Sequence, residues 1–139
     1  MNNIHIEQIR QDITWRIRHE VMYPNLPFDS IKLEEDKNGM HFGLFDNGQL
    51  TSVVSLFHVG PVYQFRKFAT IISAQGKGYG TLLLNHLINY VKTIGAKKLW
   101  CNARVSASGF YSKFGFTETD QRYVSNDIDF VIMELQLDN

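Results

Sequence analysis

Apolar residues recur along this chain with two periods, and the changes of period mark its elements. Ile4 and Ile6 alternate with polar neighbours as a short first strand. Ile9, Ile13, Ile17 and Val21 then return at every fourth position and line one face of a helix, with Arg10, Arg16 and Arg18 pointing elsewhere. Pro24 ends that helix. The stretch from Tyr23 to Asn38, with Pro24, Pro27 and the acidic group Glu34-Glu35-Asp36, keeps no period and reads as a long surface connection. His41 to Phe45 and Leu50 to Phe57 flank Asp46-Asn47-Gly48-Gln49, a hairpin whose Asn47-Gly48 supplies the positive φ values of a tight turn. Gly60-Pro61 punctuates the next boundary and leads into a β-branched and aromatic run, Gln64 to Ile72.

Leu83, Leu84, Leu87, Ile88, Val91 and Ile94 form a second helical stripe. A short strand, Lys97 to Cys101, follows, and Phe110 and Phe114 stand one turn apart in a third helix. Two more strands, Thr117 to Val124 and Ile128 to Leu137, close the chain, the second apolar on both faces as in a buried strand. The pattern predicts one α/β (α+β) domain over residues 1–139, large enough to bury a core without disulfide or metal.

Between the strand ending near Ile72 and the second helix lies Ala74-Gln75-Gly76-Lys77-Gly78-Tyr79-Gly80-Thr81. Glycines at alternate positions keep side-chain bulk off the turn, so successive backbone N–H groups can converge on an anion at the first turn of the helix. The loop is not a Walker A motif, since no Gly-Lys-Ser/Thr follows four residues after a first glycine. It is also one residue out of step with G-x-G-x-x-G, and it does not follow the first strand of a repeated βαβ chain. A nucleotide binder of another kind would need an acidic metal ligand, and none stands at a recognisable place.

The loop does match Q/R-x-x-G-x-G/A as Gln75-x-x-Gly78-x-Gly80, and after the next strand Ala107 is followed by Phe110-Tyr111 and closed by Gly115-Phe116. In these two landmarks, their order and their separation, the chain resembles the GNAT superfamily of acyl-CoA-dependent N-acetyltransferases, strongly from Gln64 to Phe116 and elsewhere in element order. The resemblance implies a mixed central sheet, splayed at the acetyl-CoA site and flanked by helices. It also implies direct transfer of acetyl from acetyl-CoA to a primary amine of a small molecule or peptide in a ternary complex.

The resemblance further implies that backbone groups of Phe68, Ala69 and Thr70 hold the pantetheine arm, and that an N–H there polarises the thioester carbonyl. The N–H groups of Gly76, Lys77, Gly78, Tyr79, Gly80 and Thr81 would cradle the pyrophosphate, with Gln75 bracing the turn or touching phosphate and the Lys77 ammonium beside it or merely solvated. Tyr111 occupies the position of the tyrosine that protonates the departing thiolate; its other reading is packing in the stripe of Phe110 and Phe114. Arg104 stands where many relatives carry asparagine and would touch the cofactor with its charge or lie on the surface, with Asn102 a weaker candidate.

Departures from the pattern give a rival reading. No Glu or Asp lies between Tyr63 and Ile72, which leaves His58, equally readable as a satisfied structural histidine, Glu134 or water as base, and Phe130 stands where a subgroup carries histidine. These features suggest, as the alternative, a CoA-binding module with little or no transferase activity.

Charge and cysteine content narrow the partners. With 14 basic and 14 acidic residues the net charge is zero, so no global field draws nucleic acid or an anionic membrane. The acidic run Asp29 to Asp36 reads as a solvated face or a lure for a cationic amine. The single Cys101 forms no internal disulfide and reads as a buried, inert thiol. Neither a basic leader followed by an apolar core nor a membrane-length apolar run is present, which points to the cytoplasm. His5, His19, His41 and His86 lack metal-ligand spacing with one another or with Cys101, so no metal is expected. The aromatic content leaves material for a homodimer interface.

Overall fold

The computed structural model describes residues 3–137. In chain order the elements are β1 (Ile4–Ile9), α1 (Gln11–Met22), β2 (Met40–Asp46), β3 (Gln49–Val59), β4 (Val62–Thr70), α2 (Tyr79–Thr93), β5 (Lys98–Arg104), α3 (Ser108–Ser112), β6 (Thr117–Ser125) and β7 (Ile128–Gln136). The strands form one seven-stranded sheet in the order β1-β2-β3-β4-β5-β7-β6. It is mixed, as expected: β4 and β5 run parallel, whereas β1–β2, β2–β3, β5–β7 and β6–β7 are antiparallel. No helix among the described residues is long and apolar enough to cross a membrane.

The chain packs as two compact units, one built from the residues up to Phe57 with Arg66–Leu87, the other from His58–Phe65 with the residues from Ile88 on. In the first unit Ile17 of α1 packs with Val53 of β3 and Ala69 of β4, surrounded by Ile9, Val21, Met22, Leu50 and Ile71. The β2–β3 turn has Asn47 and Gly48 at φ 51° and 82°, the conformation that the Asn-Gly pair predicts.

Two expectations need correction in this unit, the start of α1 and the nature of the connection from Tyr23 to Asn38. Ile9 does not start the helix; it closes β1 opposite His41, and α1 begins two residues later. Arg18, one of the arginines set off the apolar stripe, is an interior residue. Its side chain is fully buried, with Nη1 donating to Asp36 Oδ2 at 2.8 Å and to the Ile31 carbonyl at 3.1 Å. Its Nη2 donates to Asp36 Oδ1 at 3.2 Å and to Ser55 Oγ at 3.0 Å. The stretch from Tyr23 to Asn38 is therefore more than a surface connection: it folds into 3₁₀ turns at Phe28–Ile31 and Glu34–Asn38 and buries Ile31 and Asp36. Its anchor is an ion pair rather than an apolar stripe, which hydrophobic periodicity does not register.

In the second unit the register of β4 with β5 sets Val62, Tyr63 and Gln64 opposite Lys98, Leu99 and Trp100. β5 and β7 pair along their length, from Lys98 opposite Gln136 to Arg104 opposite Phe130. Leu99, Cys101 and Ala103 of β5 and Val131 and Met133 of β7 are buried on one face. On the other face of β7, Phe130 and Ile132 are half-buried, which explains why the strand reads as apolar on both sides.

Candidate active site

In the first unit, β4 gives way to a 3₁₀ turn at Ile72–Ala74, then to the glycine loop and the first turn of α2. Gly76 and Gly78 adopt φ 81° and 83°, the left-handed region in which an L side chain is strained, although a Cβ at either position would meet open space. Their requirement is thus conformational. Gln75 braces the turn, with Nε2 donating to the Thr70 carbonyl at 3.0 Å. Ser52 Oγ donates to the Ala69 carbonyl at 3.1 Å and lies 2.8 Å from Thr70 Oγ1, so the end of β4 is held by side chains of its neighbour and of the loop. The Tyr79 side chain is buried and its hydroxyl donates to Asp46 Oδ2. The phenol is thus engaged within the protein. Gly80 and Thr81 lie in the first turn of α2, where N–H groups lack the usual intrahelical partner. Lys77 is exposed and makes no ion pair with any described residue.

One feature of β4 was not visible in the sequence. Lys67 sits in the strand at φ 56°, a left-handed lysine immediately before Phe68, Ala69 and Thr70. Glycine, asparagine, aspartate and histidine are the types enriched at positive φ, so nothing in a lysine signals it. Its ammonium donates to the Tyr23 hydroxyl and lies 4.7 Å from the centre of the Tyr23 ring, while Arg66 is paired with Glu35.

In the second unit, Tyr111 on α3 is half-buried among aromatic rings, with centroids 5.9 Å from Phe65, 5.2 Å from Phe110 and 6.0 Å from Phe116. Its hydroxyl makes no hydrogen bond with any described residue. Burial first, and the neighbouring Cys101 second, push the phenol above its ordinary value. Arg104 ends β5, exposed and without an ion pair among the described residues, and Asn102 is likewise exposed.

The candidate bases have structural partners. His58 is exposed near the end of β3, 3.0 Å from the Gly60 carbonyl through Nδ1, and stacks on Tyr63 at 4.8 Å. Glu134 accepts from Lys98 Nζ at 3.0 Å. Phe130 stacks on Tyr123 at 5.2 Å. No group of three or more His, Cys, Asp or Glu among the described residues is placed to hold a metal ion. Burial pushes the Cys101 thiol up to about 12, so it should stay unmodified by a disulfide reagent at neutral pH until the protein is unfolded. Native reaction as fast as that of a free thiol would contradict this.

Comparison with known proteins gives a consistent result. Residues 11–137 match the family model described as an acetyltransferase (GNAT) domain. The chain is 27% identical over 129 residues to YitI, an uncharacterised N-acetyltransferase of Bacillus subtilis, covering 86% of this chain and 87% of that protein. It is 31% identical over 97 residues to the ribosomal protein bS18-alanine N-acetyltransferase of Haemophilus influenzae, covering 68% of this chain and 66% of the relative. A solved GNAT family acetyltransferase from Elizabethkingia anophelis with acetyl-CoA bound superposes with a TM-score of 0.77 at 19% identity, over 97% of this chain and 99% of that one.

Proposed function

Because this chain belongs to the GNAT acetyltransferase family and is an acyltransferase, we propose that it moves acetyl directly from acetyl-CoA to a primary amine of a small molecule or peptide. The observation that supports this reading most strongly is the braced glycine loop. Two left-handed glycines precede α2, and Gln75 ties their approach to the end of β4. A backbone cradle fixed in this way presents N–H groups to a pyrophosphate at little further ordering cost, and the dipole of α2 adds a favourable contribution.

In the proposed reaction the amine nitrogen bonds to the thioester carbonyl carbon, the C–S bond breaks, and the amine loses a proton while the CoA sulfur gains one. Products are the N-acetylated acceptor and CoA. An N–H at Phe68 to Thr70, residues past the register of β4 with β5, polarises the carbonyl oxygen. Tyr111 donates to the sulfur, Gly76 through Thr81 take the pyrophosphate, and Lys77 and Arg104 lend charge to the phosphates.

The test is thermal unfolding with acetyl-CoA, CoA, ATP and GTP in parallel, since a ligand that binds only the folded protein raises its apparent stability. A rise in Tm with the CoA species alone is the expected result. No rise with saturating acetyl-CoA, in protein free of copurified cofactor, would refute the reading. Gly78→Ala should weaken acetyl-CoA binding measurably, because an alanine held at φ 83° costs about 1–2 kcal/mol and resists that cost by turning the N–H away. Isothermal calorimetry reads the change; unchanged affinity would remove Gly78 from the cradle.

A further inference from the structure

Among the described residues four besides glycine have positive φ, and Asn47, Asn126 and Asp127 of these sit in hairpin turns, where such residues are tolerated. The fourth is Lys67, inside β4. A lysine gains no local hydrogen bond from this conformation, so its position is strained, and strain of this kind clusters at ligand sites. Its charge is also unusual for its surroundings. Lys32, Arg66 and Lys98 each face a carboxylate, whereas the half-buried Lys67 is held only against the neutral phenol of Tyr23 and makes no ion pair with a described residue. A cation partly withdrawn from water, fixed in place and lacking an anion is prepared for one that arrives with a ligand.

Two ligands in the proposed reaction can bring that anion, the acceptor or the phosphates of CoA. The phosphates are assigned to residues 76–81, while Lys67 directly precedes the backbone groups assigned to the thioester carbonyl. The acceptor nitrogen must come within about 3–3.5 Å of that carbonyl carbon to react. We infer that Lys67 is a specificity-determining residue that receives an anionic group of the acceptor, a carboxylate or phosphate, so that the preferred substrates are amines carrying such a group close to the nitrogen. This rests on the acetyl-transfer reading above.

The experiment measures CoA release with a panel of amino acids, each paired with its carboxamide, together with aminoalkyl phosphates and peptides with a free amino terminus. The anionic members should be favoured in kcat/KM about tenfold or more, the scale of a hydrogen bond to a charged group. Lys67→Met and Lys67→Gly should abolish the preference and Lys67→Arg should keep it, with the Kd for acetyl-CoA unchanged in all three. Lys67→Gly also relieves the left-handed strain, so its loss of preference is not explained by misfolding. Equal use of each pair, a preference surviving in Lys67→Met, turnover confined to uncharged amines or peptides, or no turnover of any anionic amine would each overturn the inference. Weakened acetyl-CoA binding in Lys67→Met would reassign the charge to the cofactor. Normal calorimetric binding of acetyl-CoA in any of the first four cases leaves the cofactor reading standing.

Discussion

Tyr111→Phe lowers kcat about a hundredfold or more, the usual contribution of a positioned general acid, while acetyl-CoA binds as tightly as before. The substitution removes one oxygen and keeps the ring among Phe65, Phe110 and Phe116, so packing alone does not produce this result. The raised pKa of the buried phenol has two consequences. The hydroxyl stays protonated through the neutral range, and a group that acts in its protonated form loses activity only as pH rises through its pKa. No fall in kcat between neutral pH and the ordinary phenol range is therefore expected from Tyr111. Full proton transfer to a thiolate would be uphill if the sulfur kept its solution basicity. Desolvation lifts the adjacent Cys101 to about 12 as well, and a sulfur brought into the same surroundings would be made more basic by the same cause. Measuring kcat by thiol release, with Kd by calorimetry, separates the outcomes. Unchanged kcat would make Tyr111 a packing residue, and absence of amine-dependent release from the parent enzyme would favour a CoA binder without transferase activity.

Legibility from sequence followed the chemistry that each residue type advertises. Glycines 76 and 78 announced a turn, Asn47-Gly48 announced a hairpin, and the leucine stripe of α2 gave a helix, because in each case the local preference and the fold agree. The burial of Arg18 and Asp36 was not legible, since an ion pair of this kind depends on partners 18 residues apart that no short window brings together. Lys67 was hidden for the opposite reason: its backbone contradicts its residue type, and only the tertiary structure holds it there. His58 reads from its type as a base or a structural histidine and Glu134 as a base, and the partners that engage them come from the β3–β4 turn and from β5. The backbone conformation of the glycine loop was thus readable, because glycine declares it by residue type. Ion pairs and strained positions depend on tertiary partners that the sequence does not encode locally.

Arg18→Met destabilises the protein by about 3–5 kcal/mol, the cost of leaving one member of a buried ion pair without the other. Asp36 has almost no contact with solvent, and without Arg18 it retains as donors the Leu33 N–H at 2.9 Å and Trp15 Nε1 at 3.2 Å. Burial pushes its pKa up, but the Arg18 guanidinium, the Leu33 N–H and Trp15 together hold it below the ordinary carboxylate value of 3.8. A carboxylate depressed in the folded state adds stability that is complete above its unfolded value and is lost as pH falls through the folded one. The parent protein therefore loses this contribution only in acid. In Arg18→Met the sign reverses: the unpaired, buried Asp36 titrates above its unfolded value, so protonation relieves the variant as pH drops from neutral towards 4. Denaturant unfolding at a series of pH values should show the gap between the two proteins narrowing on the acid side. The double variant Arg18→Met/Asp36→Leu, which removes both charges, should recover most of the loss, although Ser55 and the Ile31 carbonyl lose their donor. A gap that is independent of pH would show that Arg18 contributes by filling space and not through Asp36.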